Sequence, residues 1–189
     1  MTSREENRAK AISDIADHLI KEGLAKTSLR QLAEAAGVSD RMLLYYFENK
    51  DDVMLAALSH LAGQLTAKLD TIPEDPLSPA ELFDQAAKMI DEDGVRPFMN
   101  LWIEATAAAV RDIAPYPMIA SALSAGFLDW MKTRLAEPED GSQTRAAQAA
   151  MLMAIIDGLE IVRICAGEEA YKQARQSSYL ALRTDRNGI

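Results

Sequence analysis

Three side chains that can recognise a nucleic-acid base stand close together in the sequence: Arg41, Met42 and Tyr45. An arginine guanidinium can donate two hydrogen bonds to guanine O6 and N7, and a methionine side chain can contact a thymine methyl group. A tyrosine hydroxyl can meet a base edge or a phosphate. If one face of a short helix carries these residues, we expect that face to enter the major groove of DNA.

Polar residues at the starts of helices suit the DNA backbone instead. The helix dipole favours an anion there, and the hydroxyl groups of Thr27 and Ser28 and the ammonium group of Lys50 would add to this attraction. Each residue alone also fits an ordinary role as a helix cap or surface residue, but their order within a short segment favours DNA binding. The predicted DNA-contacting residues are Thr27, Ser28, Ser39, Asp40, Arg41, Met42, Tyr45, Tyr46 and Lys50.

Two helices are predicted to precede this face. The first begins near Arg4, has apolar residues at helical spacing, and ends at Gly23, which can adopt the left-handed conformation of helix ends. Thr27 and Ser28 are predicted to cap the second helix, and Gln31 completes a capping box with Ser28.

A tight turn should separate the second helix from the third. Gly37 ends the second helix, Ser39 caps the third, and Leu43 with Phe47 gives the third an apolar side. Ala33 is small enough for two helices to cross steeply. The pattern predicts a helix-turn-helix at residues 27–47, with the apolar side of its third helix inward and the base-recognising face outward.

The rest of the sequence also has helical patterning. Asn49 is predicted to cap a fourth helix, and prolines between residues 73 and 79 break the pattern after it. Further helices are predicted at about 79–93, 95–113, 117–136, 143–166 and 168–183. The predicted fold class is all-α, with a three-helix DNA-binding domain at residues 1–50 followed by a larger helical-bundle domain for ligand binding and dimerisation at residues 51–189.

The net charge of −9 at first argues against a nucleic-acid partner, because duplex phosphates repel an acidic surface. Its distribution removes that objection. Residues 1–50 carry eight Lys/Arg and eight Asp/Glu, whereas residues 51–189 carry twelve and twenty-one. The predicted DNA-binding domain is therefore neutral and can present a locally basic face.

An enzyme is the main competing class, and the sequence has little material for one. His18 and His60 are the only histidines, so a histidine-based metal site or catalytic triad is not expected. Cys165 is the single cysteine, lies in an apolar run, and is predicted to be buried. We expect no cofactor. The first residues lack an apolar signal segment and no apolar run is long enough to span a bilayer, so a cytoplasmic protein with no membrane partner is expected.

Residues 27–53 resemble the N-terminal signature of the TetR family of regulators in register; their sequence is TSLRQLAEAAGVSDRMLLYYFENKDDV. The helical remainder is similar to that family only in length and helix count. The resemblance implies a homodimer whose two recognition helices enter successive major grooves of operator DNA. It also implies a C-terminal domain that binds a small molecule and then releases the DNA.

The sequence departs from the family pattern inside the third helix. Arg41 stands where the family usually has glycine, and Leu44 stands where it commonly has a phosphate-contacting tyrosine. Tyr46 occupies a position that is often histidine, while Tyr45 falls at a variable one. We therefore assign the phosphate role to Tyr46 and Lys50, and treat Arg41 as an additional DNA contact.

The C-terminal part is expected to hold an effector of unknown identity. Methionine and aromatic side chains make adaptable apolar walls, although at helical spacing they also fit a plain core. The candidate lining residues are Met89, Phe98, Met99, Trp102, Met118, Phe127, Trp130, Met131 and Met151. Glu104 and Asp157 are acidic residues in apolar helices, where pairing with an arginine is favoured over contact with a cationic or hydrogen-bonding effector. Control by a protein partner, without a small-molecule effector, remains the alternative.

Helices 143–166 and 168–183 are predicted to form a two-fold homodimer interface, although the first also fits an ordinary core helix. The first is apolar over more than one face, and Gly158 would allow a close approach of backbones. A dimer also meets a geometric need, because one short recognition helix supplies too few contacts, whereas two fit half-sites separated by about 34 Å or a multiple of that.

Overall fold

The structure is a computed structural model and describes residues 3–25, 27–73, 75–91, 95–138 and 144–184. Within these ranges the secondary structure consists of α-helices and one isolated bridge between Leu77 and Leu135. The helices are α1 (Ser3–Glu22), α2 (Leu29–Ala35), α3 (Asp40–Tyr46), α4 (Lys50–Leu69), α5 (Pro79–Asp91), α6 (Arg96–Val110), α7 (Tyr116–Arg134), α8 (Arg145–Ala166) and α9 (Glu168–Thr184). The predicted all-α class is confirmed. Residues 92, 93 and 143 of the predicted helices lie outside the described ranges.

The chain divides into two compact units, unit 1 with residues 1–67 and 93–124 and unit 2 with residues 68–92 and 125–189. Unit 1 has a continuous apolar core, because the inward stripes of α1 to α4 meet residues of α6 and the start of α7. The most deeply buried members include Ile15, Leu19, Leu32, Leu43, Val53, Met54, Ala57 and Ile119.

Unit 1 extends beyond the predicted DNA-binding domain at residues 1–50. The apolar stripe of α4, including Met54 and Ala57, packs in the same core as the first three helices, as do Leu101 and Ala105 of α6. Compactness alone does not assign function to a unit, so the functional division at residue 50 stays a prediction.

The helices of unit 1 begin and end at residues that the local sequence predicts. Gly23 and Gly37 have φ values of +70° and +66°, as expected for residues that end helices. Ser28 Oγ accepts a hydrogen bond from the N–H of Gln31, whose side chain accepts one from the N–H of Ser28, so the predicted capping box is confirmed. Asn49 Oδ1 accepts from the N–H of Asp52 at 2.9 Å and caps α4 as predicted.

Unit 2 packs α5, α8 and α9 around apolar residues and a polar network. Asp91, at the end of α5, accepts hydrogen bonds from Arg163 of α8 (2.6 Å) and from the Tyr171 hydroxyl of α9 (2.8 Å). Arg175 donates to the second oxygen of the same carboxylate. Glu160, one turn before Arg163 on α8, lies 3.4 Å from the same guanidinium. This network ties α5 to α8 and α9.

Among the described residues, we find no helix that combines the length and the apolar character needed to cross a bilayer.

Candidate nucleic-acid interface

Helix α3 has one buried side and one exposed side, and the division follows the prediction. Leu43 is completely buried and Phe47 nearly so. On the other side Arg41 is exposed, and Tyr45 and Met42 expose 56% and 42% of their surface. Arg41 and Tyr45 are one helical turn apart and so share a face. The three side chains with base-recognising chemistry are thus accessible from one side of α3.

Leu44 belongs to the same exposed surface, with 46% of its area accessible. Leu44 has no predicted role, because it replaces a polar residue of the resembled family. An exposed leucine beside exposed methionine and tyrosine makes an apolar strip around an arginine. Such a strip suits the thymine methyl groups of the major groove. The available signal was helical spacing: with Leu43 inward, Leu44 falls beside Arg41 and Tyr45 on the outward side.

The start of α3 is held by its own cap. Ser39 Oγ accepts a hydrogen bond from the N–H of Met42 at 3.2 Å, as predicted. Asp40 is exposed in the first turn, where its negative charge complements the helix dipole. The same charge would repel a phosphate, so Asp40 fits a contact with a cytosine amino group better than a backbone contact.

Thr27 does not have the local role predicted for it. Its hydroxyl donates to the carbonyl of Leu24 at 2.8 Å, and only Ser28 caps α2. The prediction that Thr27 also caps α2 was wrong, because its side chain turns back into unit 1 and is 6% exposed. Thr27 also bonds the hydroxyl of Tyr116, while burial raises the pKa of Tyr116.

The two residues assigned to phosphate differ in accessibility. Lys50 is exposed at the start of α4. Tyr46 belongs to the buried core and exposes 9% of its surface, and its ring lies 5.6 Å from that of Tyr45. A phosphate contact by Tyr46 stays a prediction, and it would have to be made by the small accessible part of this side chain.

Two arginines of α1 that were not among the predicted site residues reach the end of α3. Arg4 Nη2 donates to the carbonyl of Tyr45 at 3.1 Å, and Arg8 Nε donates to the carbonyl of Tyr46 at 3.3 Å. The available signal was a pair of basic residues one turn apart at the start of the first helix. Their target, about 40 residues later, is not visible in local patterns.

The predicted effector-binding residues are distributed over both units. Phe98, Met99, Trp102 and Met118 belong to unit 1, and Phe127, Trp130, Met151 and Asp157 belong to unit 2. Two of them have roles within their own unit. Met99 is buried, and Trp130 donates from Nε1 to Asp70 at 2.9 Å. Met118 is 58% exposed. Their assignment to an effector site stays a prediction.

Glu104 has a backbone partner. In place of the predicted arginine, the N–H of Leu24 donates a hydrogen bond to Glu104 Oε2 at 2.7 Å. Its carboxylate lies against Gly23, where an added Cβ atom would be 2.7 Å from Oε1. The glycine thus provides both the left-handed conformation and the space for this contact between α6 and the end of α1.

Helices α8 and α9 carry an exposed apolar surface in the single chain. Ile161, Ile164 and Leu180 each expose about half of their area. Cys165 is exposed as well, so the prediction that it is buried was wrong. It lies on the outward side of α8, whereas the inward side carries Leu152 and Ile156 among other residues.

A short helix with a polar and apolar outward face, set across a tight turn from a second helix, defines the class of helix-turn-helix DNA-binding proteins. Residues 12–57 match the family described as bacterial regulatory proteins, tetR family. The segment that carries the helix-turn-helix therefore matches the N-terminal region of TetR-family regulators, as the resemblance implied. This family consists of DNA-binding regulators and not of enzymes, which agrees with the sequence interpretation. No curated protein matches the sequence.

Solved structures with the same fold cover nearly the whole chain. A TetR-family transcriptional regulator from Cytophaga hutchinsonii has a TM-score of 0.80 at 18% identity, over 97% of this chain and 96% of its own. A putative TetR-family regulator from Rhodococcus sp. has a TM-score of 0.75 at 20% identity, over 95% and 98%. The multidrug binding protein EbrR, complexed with ethidium, has a TM-score of 0.68 at 23% identity, over 93% and 98%. These likenesses establish the fold of a TetR-family regulator for the chain.

Proposed function

We propose that this protein is a homodimeric repressor that binds a palindromic operator through α3 and is released from it by a small, largely apolar effector. The observation that carries the proposal is the exposed face of α3. Arg41, Met42 and Tyr45 are accessible there, while Leu43 and Phe47 are buried on the opposite side in the apolar core.

Recognition of bases would follow from the chemistry of this face. Arg41 donates to a guanine, while Met42 and Leu44 contact thymine methyl groups. Tyr45 reaches a base edge or the adjacent phosphate. Lys50 contributes a backbone contact that does not depend on the nucleotide sequence.

The test is selection of duplexes from a randomised pool by the purified protein, followed by affinity measurements on the recovered sequence. Arg41→Ala should relax specificity at one position per half-site, at a cost of about 1–3 kcal/mol. Lys50→Ala should weaken all duplexes alike and lower the salt dependence by about one counterion. The control is Arg111→Ala, which removes an exposed charge at the end of α6 and should change neither the sequence specificity nor the salt dependence of binding. An unchanged preference in the Arg41 variant would remove Arg41 from the recognition set.

A second copy of the chain is the proposed partner for the exposed apolar surface of α8 and α9. Isoleucine and leucine side chains left half-exposed on two adjacent long helices are typical of a protein interface. Gly158 has open space where a Cβ atom would lie, which permits close approach of a partner helix. A dimer would also present two copies of α3 to the two half-sites of a palindrome.

Substitution in this surface tests the dimer. Ile164→Glu should shift the molar mass measured by light scattering from that of two chains to that of one, because a dimer would bury two carboxylates. Val110→Glu places the same charge on a residue of unit 1 that exposes 83% of its surface, and it should leave the mass unchanged. A wild-type chain that is monomeric at all concentrations would refute the dimer.

An effector of this kind is supported by the predicted lining of methionine and aromatic residues, and by the fold shared with EbrR, whose complex contains ethidium. Aromatic side chains can hold an organic cation against their ring faces. Ethidium binding should be measured by fluorescence anisotropy without DNA, because ethidium itself binds duplexes. Trp102→Phe should weaken saturable binding, while Tyr45→Phe on α3 should not. Absence of saturable binding would favour the alternative, a regulator controlled by a protein partner.

A further inference from the structure

Two arginines of α1 hold the end of α3 that lies away from its serine cap. Arg4 donates to the Tyr45 carbonyl and its guanidinium carbon lies 4.6 Å from the centre of the Tyr45 ring. Arg8 donates to the Tyr46 carbonyl and lies 4.7 Å from the centre of the Phe47 ring. Each arginine thus makes one hydrogen bond and one cation–π contact with the last residues of α3.

These contacts occur where the helix needs them. The last carbonyls of an α-helix have no partner within the helix, and the dipole gives this end a partial negative charge. The chain leaves the helix at Phe47, whose backbone is extended. Positive guanidinium groups therefore satisfy exposed acceptors and stabilise the final turn of a helix that is only seven residues long.

The two contacts have different consequences for the exposed face. Arg8 is half-buried and holds residues on the inward side of α3, whereas Arg4 is exposed and stacks on Tyr45, which belongs to the outward face. A planar guanidinium can bond a carbonyl and lie over a ring at once, which an ammonium group does less well. Arg4 thus fixes both the end of α3 and the direction of one of its recognising side chains.

We infer that Arg4 and Arg8 are positioning residues for DNA recognition: they clamp the C-terminal end of α3 to α1 and thereby set the placement of Arg41 and Tyr45 against the bases. The inference rests on the proposed DNA-binding function. It adds a specificity requirement outside the helix-turn-helix, since both arginines precede that motif in the sequence.

The decisive comparison sets Arg4→Ala and Arg8→Ala, and the matching Arg4→Lys and Arg8→Lys variants, against the wild type. Each protein is measured on the duplex that the wild type recovers from a randomised pool and on a random duplex of equal length. Loss of a cation–π contact and of a bond to a helix end each changes an equilibrium by roughly two- to fivefold. We expect the affinity ratio of the two duplexes to fall about tenfold in the alanine variants, and the lysine variants to restore less than half of that loss on a logarithmic scale. Lys10→Ala, which removes a charge from the same helix, should leave the ratio unchanged.

Two further readouts separate positioning from charge and from DNA binding itself. Arg4→Ala and Tyr45→Ala should be non-additive in the affinity ratio, because they remove the same contact. Without DNA, amide exchange at residues 43–48 should be faster in both alanine variants than in Lys10→Ala. Full rescue by lysine, or an affinity ratio that the alanine variants do not change, would overturn the inference.

A wild-type chain that recovers no duplex would refute the proposed function instead. The specificity role of the two arginines would fall with it, and the exchange measurement would still decide whether they hold α3.

Discussion

Asp91 is the shared acceptor of the polar network in unit 2, and its replacement by alanine should destabilise that unit measurably. Three side chains of α8 and α9 donate to its carboxylate, from Arg163, Tyr171 and Arg175. The Arg163 side chain is 7% exposed, so removal of its main partner leaves a largely buried positive charge. Breaking a buried ion pair in this way costs about 3–5 kcal/mol.

Two features of the structure reduce that cost. Glu160 remains 3.4 Å from Arg163 and still neutralises part of its positive charge. The Asp91 side chain is 30% exposed, so water can enter the space that it leaves. We therefore expect a loss of about 2–3 kcal/mol in the free energy of unfolding. For a chain of this size the melting temperature should fall by roughly 5–10 °C.

The assay is urea and thermal unfolding followed by circular dichroism at fixed protein concentration, since dimer formation makes stability concentration-dependent. Asp129→Ala is the matched control: it removes an aspartate from the same unit whose side chain is 72% exposed and pairs with Lys132. That variant should change stability by less than about 0.5 kcal/mol. Equal losses in the two variants would refute the reasoning that burial gives the Asp91 network its energy.

Three further predictions concern local features. Gly23→Ala should lower the free energy of unfolding, measured in urea, by about 1–3 kcal/mol, because φ is +70° and the added Cβ would lie 2.7 Å from Glu104 Oε1. The control Gly63→Ala, in the exposed part of α4, should leave that free energy unchanged or raise it. Ser39→Ala should lower the free energy of unfolding by about 1 kcal/mol, because it removes the side-chain oxygen that caps α3. An unchanged unfolding midpoint would contradict this. Burial, with the bond to an aspartate carboxylate, raises the pKa of Tyr171 from 10.0 to about 12. The unfolded chain should therefore lose this proton first, so stability should fall between pH 10 and pH 12, and the fall should be smaller in Tyr171→Phe.

The helix-turn-helix could be predicted from the sequence because its determinants are local. Ser28, Ser39 and Asn49 act on residues three positions away, and Gly23 and Gly37 act through their own backbone conformation. Periodicity then places the apolar residues inward. The exposed side of α3 follows from these facts, and so does the candidate site.

Features that depend on distant contacts could not be predicted in this way. Thr27 bonds Leu24 and Tyr116 instead of capping α2, and the second of these partners comes from a helix that packs into unit 1. The contact of Arg4 with Tyr45 likewise depends on how α1 and α3 are packed. Cys165 was assigned to the interior from its apolar neighbours, but composition does not distinguish a core face from an apolar surface.

The central claim is that the exposed face of α3 enters the major groove, and methylation interference tests it most directly. The duplex recovered by the wild type is lightly methylated at guanine N7, which lies in the major groove, and at adenine N3, which lies in the minor groove. We predict that N7 methylation of a guanine in each half-site excludes the duplex from the bound fraction, and that Arg41→Ala abolishes this exclusion. Interference confined to adenine N3, or the same N7 pattern in wild type and variant, would contradict the account.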